Sequence, residues 1–244
     1  LTVGSAAPHL VRGLGLEWRG VVGVASVLAL VAALTLLTVG DGPFETPTRA
    51  FSWDQVGFVV RAPGWRRATG GYLGHMWELY AMWTWVAVWI AASAETAAGS
   101  YPDPAVLTFV VVGIGGAGAW FAGRVSDRIG RAMAAGGALA TSGAVAALSP
   151  LLFGLPAWVV VPALLLWGFA VVADSSQFST MVTEDVAPAV VGTGLTLQTA
   201  LGFLLTLVSI QLVSTLADAV GWRWALLPLV LGPLFGLWAL RPRR

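Results

Sequence analysis

Seven apolar runs of about twenty residues or more, parted by short polar segments, decide what this chain can fold into. They cover residues 20–40, 70–93, 104–123, 132–153, 157–178, 188–216 and 222–240. Each is near or above the ~20 residues that a helix needs to cross a bilayer. A shorter apolar segment, residues 1–16, precedes them and reads as the tail of one more span. Only 10% of the 244 residues are charged and mean hydropathy is +0.82, whereas a soluble domain carries about 25% charge. One globular core of this size cannot hide so much apolar surface. The expected class is therefore an all-α polytopic membrane protein with the lipid bilayer as its solvent.

The polar segments give the orientation. All thirteen basic residues are arginine. Alternating loops put Arg49, Arg61, Arg66, Arg67, Arg124, Arg128, Arg131, Arg241, Arg243 and Arg244 on one side and only Arg12, Arg19 and Arg223 on the other. The arginine-rich side is expected to be cytoplasmic. Trp18, Trp158, Trp222, Trp224 and Trp238 sit near run ends, as in interfacial belts. The longest polar stretch, 41–69, holds Pro43, Pro47 and Pro63 and reads as a linker. Within it Phe51, Trp53, Val56, Phe58, Val59 and Val60 suit a short helix lying on the membrane surface.

One charged turn stands out between two spans: Gly123, Arg124, Val125, Ser126, Asp127, Arg128, Ile129, Gly130 and Arg131. There is also an internal repeat. With a constant offset of 204, Leu1, Thr2 and Ser5 match Leu205, Thr206 and Ser209, and Trp18-Arg19 matches Trp222-Arg223. Each copy runs into an apolar helix ending on the arginine-rich side. Residues 1–40 then form the end of one repeat and residues 70–244 the whole of the next, with six spans per repeat. On this reading the sequence, which starts at Leu1, is the later part of a twelve-helix protein.

The stretch Gly123-x-x-x-Asp127-Arg128-x-Gly130-Arg131 resembles the loop signature of the major facilitator superfamily, G-x-x-x-D-R-x-G-R-R, with Ala132 departing at the last basic position. The resemblance implies a helix bundle of two six-helix halves. Here it would run from a partial helix 5 and helix 6 (1–40), through a cytoplasmic linker (41–69), to helices 7–12 (70–244). It implies secondary transport of a small solute by alternating access, with proton coupling as an option and an organic or inorganic anion among the candidate solutes. The expected setting is a bacterial inner membrane, with the linker, the 123–131 loop and the C-terminus cytoplasmic. Segments Gly71–Trp85 and Ala173–Ser179 are similar to segments of bacterial members, without identifying a solute.

Two readings stand beside each other for the charged turn. It is a topology signal with a capping Asp127, or it is a gate. In the gate, Arg124, Asp127, Arg128 and Arg131 form a charge cluster flanked by Gly123 and Gly130 that holds one conformation. The resemblance places its partner near helix 5 of the other half. Gly115, Ala119 and Gly123 form a ladder for close helix packing.

The candidate substrate or proton pathway comprises His75, Glu78, Tyr80, Asp174, Gln177 and Gln198. Ionisable groups inside a span are costly and mark function by default. His75 and Glu78 lie three apart on one helix face, and the alternative is that both only anchor the helix at the interface. Asp174, Ser175, Ser176 and Gln177 interrupt their run, as a solvated helix end or as a polar wall. Tyr80, between Trp77 and Trp83, suits stacking, and packing is the plainer role for these rings. Gln198, with Thr196 and Thr199, suits either helix-to-helix hydrogen bonding or the path. Glu184 and Asp185 are expected to cap the following helix through its dipole.

Several classes are disfavoured. There is no cysteine, and net charge is only +1, which argues against a nucleic-acid partner. The two histidines are far apart, so no metal site or other cofactor is expected. No phosphate-cradling G-x-x-x-x-G-K-[ST] occurs. An enzyme is not expected, because no paired catalytic groups sit at matching depth. A membrane-embedded enzyme, a sensor or a half-protein scaffold remains the alternative to a transporter.

Overall fold

A computed structural model describes residues 2–40 and 52–241, and every regular element among them is helical. Arg49, Phe51, Arg243 and Arg244, which entered the reading above, lie outside the described residues. The helices are α1 (Thr2–Gly13), α2 (Trp18–Leu36), α3 (Trp53–Arg61), α4 (Pro63–Thr96), α5 (Pro104–Gly113), α6 (Gly115–Ile129), α7 (Arg131–Leu152), α8 (Ala157–Ala173), α9 (Ser175–Asp185), α10 (Val191–Val220), α11 (Trp222–Ala225) and α12 (Leu231–Ala239). Local chemistry sets several starts. Ser52 Oγ accepts from the Gln55 amide at the head of α3. Asp103 Oδ1 accepts from the amides of Ala105 and Val106, with Pro104 as the first residue of α5. Gly130 (φ 91°) lets the chain turn between α6 and α7.

α5 runs into α6 through Ile114, and α8 into α9 through Asp174, as near-continuous rods. Six segments among the described residues are long and apolar enough to cross a membrane: Trp18–Leu36, Pro104–Ile129, Arg131–Leu152, Ala157–Asp185, Pro188–Val220 and Trp222–Ala239. This is the build of a helical integral membrane protein. α4 is the longest helix at 34 residues, but Arg66, Arg67, His75, Glu78 and Glu95 dilute its apolarity.

α4 is the axis of the bundle. It packs along α12 and α10, and also against α9 and α5, while α7 packs on α8, α12 and α6. α1 lies along α5, and none of the residues of α2 is buried. Contacts define two ends. At one, Gly64 meets Asp185, Arg67 donates twice to the Leu240 carbonyl (3.0 and 2.9 Å), and Arg131 meets Glu184. At the other, Tyr101 donates to the Leu155 carbonyl, the Gly154 amide donates to Ser93 Oγ, and Arg223 lies over Phe153. The arginines Arg61, Arg66, Arg67, Arg128, Arg131 and Arg241 thus gather at the first end. Asp185 sits against Gly64 in the first turn of α4, whose dipole it complements.

Three crossings bring backbones into contact. Gly74 of α4 faces Gly232 and Gly236 of α12, Gly115 and Gly118 of α6 face α8 around Gly168 and Phe169, and Gly168 of α8 faces the Val111 carbonyl of α5. The expected ladder therefore holds at Gly115 and shifts to Gly118, because Gly123 has open space beside it. Indole N–H groups tie helices together by reaching a neighbour's backbone. Trp65 donates to the Gly194 carbonyl (2.9 Å), Trp77 to Pro228 (3.0 Å) and Trp85 to Ile210 (2.9 Å). Trp65 is buried. Trp65→Phe should lower stability by about 0.5–1.5 kcal/mol, because it removes the bond that ties α4 to α10, while the Gly194 carbonyl keeps its place in the α10 ladder. The melting midpoint of the detergent-solubilised protein reads this.

The apolar core has two parts. One surrounds Trp83, Trp89, Trp167, Leu164 and Leu226. The other, towards the arginine-rich end, surrounds Trp65, Tyr72, Phe178, Met181 and Leu240. α3 joins the second through Val59, while Trp53 and Phe58 stay exposed, an amphipathic pattern suited to a membrane surface.

Candidate functional site

The polar site lies where the two apolar clusters meet. Glu78 is fifteen residues into α4, roughly 22 Å from its start. Glu78 is 1% exposed. Its Oε1 accepts from the Trp167 indole of α8 and its Oε2 from the Ser142 hydroxyl of α7, both at 2.7 Å. Ser142 is also within reach of the Leu139 carbonyl (3.3 Å). Both donors to Glu78 are neutral, and no cation among the described residues pairs with it.

One turn away, Nδ1 of His75 lies 2.8 Å from Oδ1 of Asp174, each side chain 1% exposed. The contact is close but the ring N–H is not aimed along it, and both His75 nitrogens and Asp174 Oδ1 lack an aligned hydrogen-bond partner. The pair is ionic when the imidazole is protonated. The His75 ring is flanked by Tyr72 and Phe178, each with centroids 5.9 Å away. Asp174 reaches it because α8 gives way to α9 at that residue. The chain continues helically to Asp185, so Asp174 marks a break inside the bundle and not a solvated helix end.

The other candidates divide. Gln177, one turn into α9, is buried; its Nε2 approaches Ser176 Oγ (3.3 Å) and its Oε1 is unpartnered. Gln198 of α10 is buried with Nε2 unpartnered, so it makes no helix-to-helix bond through that nitrogen. Its neighbours Thr196 and Thr199 are exposed. Tyr80 is half-buried and its ring packs on Trp83 (5.6 Å) and Phe203 (5.3 Å), a packing role. His75, Glu78, Asp174, Gln177 and Gln198 are thus covered by this chain's own helices instead of forming an open wall. Three participants escaped the sequence reading: Ser142, Trp167 and the buried, unpartnered Thr69. Trp167 carried a signal, since it stands mid-run instead of at a span end.

The charged turn has its own geometry. Arg131 is the hub. Its Nη1 donates to Asp127 Oδ1 (2.7 Å) and Ser126 Oγ, and its Nε to Glu184 Oε1 (3.3 Å). Arg124 takes no part and stacks on Trp120, its guanidinium carbon 3.7 Å from the ring centre. Arg128 is exposed, Gly123 is partly covered and Gly130 makes the turn. Among the described residues the partner that α9 gives the cluster is Glu184, within the same bundle. Beside it a cleft of about 460 Å3 is lined by Arg67, Arg131, Glu184, Asp185, Met181 and Leu240.

No group of three or more metal-ligating side chains occurs among the described residues. No protein-family model matches the chain, and no curated protein matches it.

Proposed function

We propose that this chain belongs to a secondary transporter of the major facilitator type, moving a small solute by alternating access with proton coupling. One observation carries the reading. The only buried acidic or imidazole side chains among the described residues are His75, Glu78 and Asp174, set together inside a membrane bundle, with Glu78 held by neutral donors alone. Lipid-embedded proteins keep such groups where protons or ions move. The G-x-x-x-D-R-x-G-R signature and the 204-residue repeat supply the family. α4 is then a seventh span, α1 and α2 the end of the first half, and α4–α12 the second half, with the arginine-rich end cytoplasmic. Arg131, Asp127 and Glu184 form the gate of that half, an exposed network that opens as helices part. No arginine among the described residues is buried, so the interior favours a neutral or cationic solute over an anion.

The test is flux. The full reading frame that contains this chain is placed in liposomes with an imposed pH gradient, and a panel of sugars, amines, amino acids and organic acids is added. At least one solute should collapse the gradient and accumulate. A panel that neither moves protons nor raises the melting midpoint overturns the reading.

A further inference from the structure

An apolar groove and a polar cleft meet on one flank of the bundle. The groove, about 330 Å3, runs between α6 and α7 with α8 behind it. Ala122, Ala134, Ala170 and Ala173 are its buried lining, and Phe121 and Leu166 stand exposed at its rim. It follows α6 from Phe121 to Ile129 and α7 from Met133 to Thr141, roughly 12 Å along each helix. All three helices belong to segments long and apolar enough to span the membrane. No residue of α1 or α2 lines the groove. Water is absent at that depth, so an acyl chain is what fills an apolar groove open to the bilayer.

The cleft beside Arg131 opens from the groove's arginine-rich end, and Ile129 and Met133 line both. Its charged lining is balanced, Arg67 and Arg131 against Glu184 and Asp185. These side chains keep spare bonding capacity. Arg67 uses Nε and Nη2 on the Leu240 carbonyl, which leaves Nη1. Arg131 uses Nε and Nη1, which leaves Nη2. Glu184 accepts from Arg131 through Oε1, which leaves Oε2. A purely anionic head would sit against two carboxylates, and a purely cationic one against two guanidiniums. A phosphate next to a primary ammonium suits all four groups. Guanidinium N–H groups donate to the phosphate, and the three ammonium N–H groups donate to the carboxylates.

We propose that groove and cleft form one site for a phospholipid with an aminoethyl phosphate head, a phosphatidylethanolamine. One acyl chain lies in the groove over the alanines. The phosphate takes the remaining N–H groups of Arg67 and Arg131, and the ammonium meets Glu184 and Asp185. A choline head has no N–H to offer those carboxylates, and a glycerol head carries no cation. The bound head joins α4 through Arg67, α7 through Arg131 and α9 through Glu184, so the lipid braces the arginine-rich end of the bundle. The proposal needs the membrane setting and does not depend on the transporter reading.

Native mass spectrometry of the detergent-solubilised product of the full reading frame tests this. Phosphatidylethanolamine, phosphatidylcholine and phosphatidylglycerol with the same acyl chains are titrated in turn. The first should bind about tenfold more tightly than the other two, the effect of about one charge-assisted hydrogen bond. Glu184→Gln with Asp185→Asn should bring it down to the level of phosphatidylcholine. Gly137→Leu puts a side chain into the groove, where nothing lies within 4 Å of an added Cβ. It should weaken all three lipids about tenfold. Gly192→Leu is equally open but lies on α10, away from the groove, and should change nothing. Melting midpoints verify that the variants are folded. Equal binding of the three lipids, a preference that survives the double substitution, or equal effects of the two leucines overturn the proposal. A dimer mass that retains no lipid gives the groove to a second copy and overturns it too. Solute flux is scored separately, so a protein that selects this lipid but moves no solute loses the transporter reading and keeps the lipid site.

Discussion

Glu78→Gln should fold, bind solute and fail to couple solute movement to protons, whereas Glu78→Ala should be destabilised by about 2–5 kcal/mol. The contrast follows from the two donors. In Glu78→Gln the amide oxygen still accepts from the Trp167 indole, and Ser142 turns to the Leu139 carbonyl already 3.3 Å away. What is lost is a group that takes up and releases a proton. In Glu78→Ala the Trp167 N–H is left buried and unpaired, at about 1–3 kcal/mol, and a void opens among α4, α7 and α8. Trp167 is fully buried and has no solvent to turn to. Melting midpoints in detergent separate the variants, and gradient-driven uptake against solute counterflow separates coupling from binding. A Glu78→Gln protein that still accumulates solute against a gradient removes Glu78 from the coupling mechanism. Uncoupled counterflow surviving in Glu78→Gln while accumulation is lost supports it.

The helices and their order were legible because lipid imposes a length and an apolarity that single residues cannot blur. The run at 132–153 became α7 (Arg131–Leu152) and that at 157–178 the first part of a rod continuing to Asp185. Boundaries failed where amphipathic turns extend a helix past the apolar run, as at Pro63–Thr69 and Thr180–Asp185. The acidic and imidazole members of the site were legible because charge in a span is rare. Their partners were not. Ser142 and Trp167 reach Glu78 across sequence separations of 64 and 89 residues, and nothing local in a serine or tryptophan says which way it points. The charge cluster was half legible: Asp127 and Arg131 are one turn apart and meet, but Arg124 found an aromatic ring and Glu184 came from a distant helix.

Gly168→Ala should destabilise the fold more than any surface change, although it adds one methyl group. A Cβ on Gly168 would collide with the backbone carbonyl of Val111, with the Val111 carbonyl carbon 2.8 Å and Cγ1 3.1 Å away. The obstacle is helix backbone, so no rotamer change relieves it. α5 and α8 must part, and Gly115 and Gly118 lose their seats against Val172 and Phe169. Without a hydrophobic drive between helices in lipid, that close contact is much of what holds the pair. Overpacking of this kind costs about 1–3 kcal/mol, more where backbone blocks relaxation. Gly137 in α7 is the control, with nothing within 4 Å of an added Cβ. There alanine gains up to about 1 kcal/mol in helix propensity, so Gly137→Ala should hold or raise the melting midpoint. If both substitutions moved the midpoint equally, the α5–α8 crossing would not be the close one described. Because Asp174 is held against His75 by the same rod, Gly168→Ala should also loosen the site. A lowered midpoint with gradient-driven uptake unchanged per folded protein would show that the crossing and the site are independent.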